Sequence, residues 1–220
     1  MHINDANIDL IVDKVVSFLD IKCAEKKDTI PVEASGRHVH LSQEHVEMLF
    51  GKDYELTQKR ELSQPGQYLT NEKITLIGPK GTIHNVSVLG PARNKTQIEV
   101  SQTDARILGA KAPVKESGDI SASAPIVIAT SKAVVKLDEG LIIAKRHIHL
   151  TPEDAKRFNV RDKEIVGLEI LSNRSVIFKD VVVRVSPKFN TSAHIDYDEA
   201  NACSFANGME AKIIKLQRGI

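Results

Sequence analysis

One pattern of eight residues occurs twice in this chain of 220. Ser35-Gly36-Arg37-His38-Val39-His40-Leu41-Ser42 returns as Ala144-Lys145-Arg146-His147-Ile148-His149-Leu150-Thr151, keeping the order Arg-His-(Val/Ile)-His-Leu-(Ser/Thr). An acidic, helix-like run follows each copy, Glu44 to Phe50 in the first and Pro152 to Phe158 in the second. Shared order over this length predicts an internal duplication, and hence two related lobes. Inside the pattern lies a His-x-His pair. On a β-strand, residues two apart share a face, so both imidazoles can reach one ion; on a helix they diverge by about 200°. The Val or Ile between them favours the strand and points the other way, into a core. A single pair is as easily an exposed strand end that carries histidine by chance. Two pairs in a repeat read as metal ligands.

The charge balance narrows the partners. Thirty Lys and Arg against 29 Asp and Glu provide no global field to attract nucleic acid or an anionic membrane. An anionic ligand would have to be held by locally placed cations. With aromatics at only 4% and no Trp, the cores must be built from Val, Ile, Leu and Ala, which suits short strands. Cys23 and Cys203 are the only cysteines and neither lies in a Cys-x-x-Cys, which fits a reducing cytosol. The chain has no apolar run of bilayer-spanning length and no signal-peptide pattern, so a soluble, cytoplasmic protein is expected.

Along the chain, Ile8, Ile11, Val12, Val15, Phe18 and Leu19 recur at helical spacing and predict an amphipathic N-terminal helix. With its charged linker it occupies residues 1–26, and it could pack on the body, build an oligomer interface or dock on a partner. One strand is expected over Ile30 to Leu41, ending in the His pair, with Ser42 capping a helix that Gly51 closes. The polar stretch near 52–71, turning at Pro65-Gly66, predicts an excursion or small hairpin. Strands are expected at 73–77, 82–89, 124–130, 133–137, 141–150, 164–171, 175–178, 181–185 and 211–216. Gly90-Pro91 reads as a turn. After it, Ile98 and Val100 face one side while Gln97, Glu99 and Ser101 face the other. This density of short strands and Gly/Pro turns predicts a mainly β protein of barrel or sandwich lobes with small helices. His2, His45 and His84 read as ordinary surface histidines. His194, among Asp196, Asp198 and Glu199, is a further ligand candidate.

Read together, GRHVHLS, LSQPGQY, IGPKG, VLGPARNKTQIEVSQTDARILG, RHIHLTPEDA and HIDYDEANA resemble the PduL-type phosphate propanoyltransferases, phosphotransacylases associated with bacterial microcompartments. The resemblance covers the chain from about Pro31 to its end. It implies two similar β-barrel domains with the chain crossing between them. One would use residues 27–36 and 145–216, the other residues 37–144. It also implies reversible transfer of a short acyl group, propanoyl or acetyl, between coenzyme A and inorganic phosphate. By motif, His38, His40 and Glu99 would hold one zinc ion; His147, His149 and His194, with Glu99 shared, would hold a second. Arg93 corresponds to the phosphate-binding arginine. A homodimer is implied as well. The N-terminal helix stands where many relatives carry a peptide directing them to a microcompartment shell. The chain departs from the family pattern at residues 121–135 and at Asn173-Arg174, away from any ligand implied above.

The chemistry is coherent without the family name. Zinc held by imidazole and carboxylate is a Lewis acid that also accepts a thiolate, and an arginine fork can orient phosphate. Five neutral histidines alone would leave a pair of divalent ions uncompensated at about +4, so a bridging Glu99 is expected to matter far more than its neighbour Gln97. No Ser-His-Asp or Cys-His nucleophile pattern is evident, which favours direct attack by phosphate over an acyl-enzyme. Cys203, near His194 in sequence, is the one residue that could overturn this. A zinc hydrolase and a non-catalytic, metal-stabilised interaction module are the competing classes.

Overall fold

A computed structural model describes residues 28–216. The expected N-terminal helix, His2 and Cys23 lie outside the described residues. The fold is mainly β, in two closed barrels. The first takes β1 (Ile30–Ser35), β10 (His147–Leu150), β11 (Ile165–Ile170), β12 (Val176–Val185), β13 (Ser192–Asp196) and β14 (Glu210–Ile214), closing in the order β1-β13-β10-β12-β11-β14. The second takes β2 (His38–Ser42), β4 (Tyr68–Ile77), β5 (Thr82–Arg93), β6 (Gln97–Val100), β8 (Ala124–Ala129) and β9 (Val134–Ala144). It closes because β8 pairs with both β4 and β9. β3 (Gln58–Glu61) and β7 (Val114–Lys115) are added at its edges.

The duplication reaches down to strand pairing. β2 runs parallel to β5 and antiparallel to β6; β10 runs parallel to β12 and antiparallel to β13. The four described helices match in the same way. α1 (Gln43–Phe50) and α3 (Pro152–Arg157) follow the His-x-His strands, capped by Ser42 and Thr151. α2 (Gln102–Leu108) and α4 (Tyr197–Ala202) follow β6 and β13, each opened by a capping box, Ser101 with Asp104 and Asp196 with Glu199. Among the described residues no helix is long and apolar enough to cross a membrane.

Alternation sets the register of the ligand strands. Val39 and Leu41 are fully buried in one barrel core, Ile148 and Leu150 in the other. Burying each such side chain contributes about 1.5–3 kcal/mol. A slip of one residue would exchange them for the imidazoles, so the histidines are held on the outer face of each barrel. The chain crosses between barrels at Gly36-Arg37 and again at Lys145-Arg146, immediately before the first histidine of each copy. Both His-x-His strands therefore start where the barrels meet.

Three strands run through residues expected to end them. β5 passes through Gly90-Pro91 rather than turning there, and glycine is needed because a Cβ would come within 2.3 Å of the Tyr68 ring. β9 runs through Gly140, which bends it at φ +146°, and β12 continues through Asp180 at φ 60°. Such residues look like strand ends in a sequence; here they are kinks within strands still paired to neighbours. The polar excursion becomes the short strand β3, hydrogen-bonded to β4, and a strap over residues 62–67.

Candidate metal centre

The ligand candidates form two groups. His38, His40 and Glu99 come together on the second barrel, His147, His149 and His194 on the first, with the donor atoms of each group all within 4.8 Å of one another. Strand pairing places them: Glu99 lies directly opposite His38 across β2·β6, and His194 opposite His147 across β10·β13. One crevice between the barrels is lined by Arg37, His38, Glu99, Lys145, His194 and Asp196, so the groups share an opening. A larger cleft of 230 Å³ near Leu49, Lys73, Asn85 and Lys132 holds no histidine and no carboxylate.

The rings are oriented for coordination. His38 Nδ1 lies 2.8 Å from the Gly36 carbonyl and His147 Nδ1 lies 2.9 Å from the Lys145 carbonyl, so each crossing peptide orients the first histidine of its motif. A proton on Nδ1 leaves the Nε2 lone pair free. The second histidines complement this: Nδ1 of His40 and of His149 are buried with no hydrogen-bond partner. Buried polar nitrogens are almost always satisfied, and a metal ion is what would satisfy these. The donor set therefore fits a resident ion in both groups, and zinc accepts such nitrogen and oxygen donors readily.

Protonation states agree. Burial, then His38 and Arg93, hold His40 well below the usual imidazole range. Burial, His147 and Arg184 bring His149 down to about 3, and burial with the neighbouring histidines depresses His194 strongly. Burial also lowers His147, although the Lys145 carbonyl and the Glu99 charge pull the other way. For Glu99, burial favours the neutral acid, but His38, Ser117, His147 and Arg93 together outweigh it and lower its pKa. Neutral imidazoles and an ionised carboxylate are the forms a metal requires.

The comparisons with known proteins bear on the same residues. The family model described as phosphate propanoyltransferase matches residues 31–206. The chain is 58% identical over 191 residues to a phosphate propanoyltransferase of Clostridioides difficile, covering 87% of this chain and 91% of that one. It is 58% identical over 186 residues to one of Listeria monocytogenes, covering 84% and 87%. It is 50% identical over 192 residues to one of Thermotoga maritima, covering 87% and 91%. The chain belongs to the phosphate propanoyltransferase family. It is accordingly an enzyme, an acyltransferase.

Several residues of this chain take places that their spacing did not reveal. Gln97 donates to Glu99 Oε1 at 2.6 Å, while its carbonyl accepts from the Gly118 amide at 2.8 Å. That leaves Oε2 of Glu99 toward His38, 3.5 Å from Nε2. Ser192, the residue opposite His149, puts its hydroxyl 2.9 Å from His194 Nε2. Gln64, on the strap from the other barrel, donates to that hydroxyl at 3.1 Å and to the Asn190 carbonyl at 2.9 Å. The arginine of each repeated motif is a clamp. Arg37 holds Asp104 through Nε at 2.9 Å and through a terminal nitrogen at 2.8 Å; Arg146 holds Glu199 at 2.6 Å. Both acids are the capping-box residues that open the helix after Glu99 or His194. Each Arg thus ties the start of a His-x-His strand to the end of the strand beside it. The repetition of Arg in the motif was the available signal; its partner lies far away in sequence. His45 bonds the Thr96 hydroxyl and His84 contacts Thr75 and Thr82, so neither joins the ligand groups.

Proposed function

We propose that the chain catalyses reversible transfer of a short acyl group, propanoyl or acetyl, between coenzyme A and inorganic phosphate, at a site holding two zinc ions per chain. Family membership supports the reaction. The site rests on one observation, the meeting of two donor groups at one crevice. His38, His40 and Glu99 would hold one ion and His147, His149 and His194 the other, with Glu99 shared. Zinc in this donor set would supply a Lewis acid toward the thioester carbonyl oxygen and an acceptor for a thiolate.

Arg93 grips phosphate with its planar fork and presents one oxygen to the carbonyl carbon of the acyl-CoA. A C–O bond forms to give the acyl phosphate, the C–S bond breaks, and its electron pair leaves on sulfur as the coenzyme thiolate, which takes a proton from solvent. Glu99 neutralises part of the local positive charge, and Gln97 holds it in one rotamer. Cys203 is fully buried and its Sγ donates to the Ala200 carbonyl at 3.4 Å, which supports direct attack by phosphate over an acyl-enzyme. Residues 1–26 serve as a docking segment toward a microcompartment shell, and the enzyme works as a cytoplasmic homodimer.

The test is thiol release from propanoyl-CoA and acetyl-CoA, with and without phosphate, before and after zinc chelation. Release that needs both phosphate and metal is expected. Phosphate-independent release would identify a hydrolase, and no release at all would leave a binding module.

A further inference from the structure

Four arginines are partly buried among the described residues: Arg93, Arg146, Arg157 and Arg184. Arg146 faces Glu199 at 2.6 Å and Arg157 faces Asp154 at 3.1 Å. Arg93 and Arg184 have no carboxylate within ion-pair distance among the described residues. Taking a guanidinium partly out of water without an anion is costly, so the other two positions show how this chain ordinarily satisfies it.

The two unmatched arginines come from different barrels, each on a strand paired to one of the His-x-His strands. Arg93 ends β5, which lies beside the His38–His40 strand. Arg184 lies on β12 in direct register with His149, and parallel partners in register project to the same face of the sheet. Its guanidinium carbon is 5.9 Å from the centre of the Phe189 ring, and that ring stacks on His149 at 4.1 Å. The residue is therefore oriented along the face that carries the first barrel's histidines. Burial lowers the pKa of Arg93; the Glu99 charge opposes this and the Arg184 charge adds to it. Two like charges held together in a half-buried site call for an anion between them.

We propose that Arg184 is a second phosphate-binding residue, and that Arg93 and Arg184 grip one phosphoryl group from opposite barrels. This rests on the reaction proposed above and deepens it. The attacking phosphate, or the phosphoryl end of the acyl phosphate in the reverse direction, is fixed by two forks rather than one. Its affinity then depends on both barrels at once. The phosphates of coenzyme A are the other source of the same chemistry, and the arms of the test separate them.

Arg184→Gln removes the charge; Arg184→Lys keeps it but loses the fork, and covers the case in which Gln disturbs folding. Metal content and melting temperature report whether each variant is intact. The first measurement is KM for inorganic phosphate with propanoyl-CoA as acyl donor, expected to rise about 10- to 100-fold in both variants. The second is KM for propanoyl-CoA against propanoyl-pantetheine, which lacks the coenzyme phosphates; both are expected to stay near wild type. The third is the double variant with Arg93→Lys, whose effect should differ from the product of the single effects because both groups act on one anion. The fourth is the rise in melting temperature that inorganic phosphate causes in the protein as purified, expected to shrink in the variants. An unchanged phosphate KM and thermal shift would overturn the proposal. So would a loss seen with propanoyl-CoA and not with propanoyl-pantetheine, which would assign Arg184 to the coenzyme. If wild-type protein releases thiol without phosphate, the proposed reaction fails while the thermal shift still reads Arg184 directly.

Discussion

Glu99 and His194 occupy the same place in the two barrels. Each lies directly across the sheet from the first histidine of its His-x-His strand, Glu99 from His38 and His194 from His147. The duplication has kept the position and changed the chemistry, so one group is all imidazole and the other carries a negative charge. Glu99→Gln keeps the shape and removes the charge. It is expected to lower thiol release by at least about 100-fold and to reduce zinc toward one ion per chain. Glu99→His, which copies the other barrel, should retain metal and remain slow because the positive charge is no longer offset. Elemental analysis with the thiol assay checks both; a normal rate with full metal content in Glu99→Gln would refute the role.

Gln97 holds one oxygen of Glu99 and is itself held by the Gly118 amide and Ser117. Gln97 is expected to matter less than Glu99, and these bonds show the route by which it acts. Gln97→Leu preserves volume and frees Glu99 to rotate. Metal affinity at that group should weaken by about 10- to 100-fold, as for other residues that orient a metal ligand. Competition against a chelator measures it, and an unchanged affinity would reduce Gln97 to packing.

The arginine clamps should fail locally. Asp104 is only 3% exposed, and Arg37→Ala would leave it without its cation, at a cost of about 1–3 kcal/mol given that Arg37 itself is 41% exposed. Metal should be lost first from the His38 group, whereas Arg146→Ala should act on the His194 group. Lysine should rescue each incompletely. Site-resolved metal occupancy distinguishes this from a uniform fall in stability.

Chelation should inactivate the enzyme without unfolding it. Both barrels close through backbone pairing, and their cores contain none of the ligand histidines. The far-ultraviolet circular dichroism of β-structure should persist in chelator, and zinc should restore activity. Loss of the β signal would mark the metal as a structural staple instead.

Cys203 should be dispensable. Burial, its largest influence, raises the thiol pKa, which works against thiolate formation. In a Cys23→Ser background, Cys203→Ala should keep nearly wild-type kcat, and alkylating reagents should leave the native enzyme active. A collapse of kcat in a folded variant would reopen the acyl-enzyme route.

What could be read from residues alone followed from local chemistry. Alternating Val, Ile and His over a few positions specifies both a strand and the face that its imidazoles occupy. His38, His40, His147 and His149 were visible for that reason, and two related barrels followed from their repetition. Gln64, Ser192 and Arg184 were not visible, because what gives each its place is a partner far away in sequence. Gly90, Gly140 and Asp180 look like chain reversals until the neighbouring strands are known; Tyr68, opposite Gly90, supplies the reason for one of them.

The order of strands along the chain has a consequence for biosynthesis. Every strand of the second barrel lies between His38 and Ala144, whereas the first barrel needs β1 from one side of that stretch and β10 to β14 from the other. A nascent chain that has emerged as far as Ala144 already contains His38, His40, Glu99 and Arg93, and nothing of the other donor group. Domains fold as their residues leave the ribosome. One metal-binding half can thus mature while β1, synthesised earlier, waits for its partners β13 and β14. The final strand, β14, closes the first barrel, and a chain cut short before Glu210 would carry all six ligand candidates with only one barrel able to close.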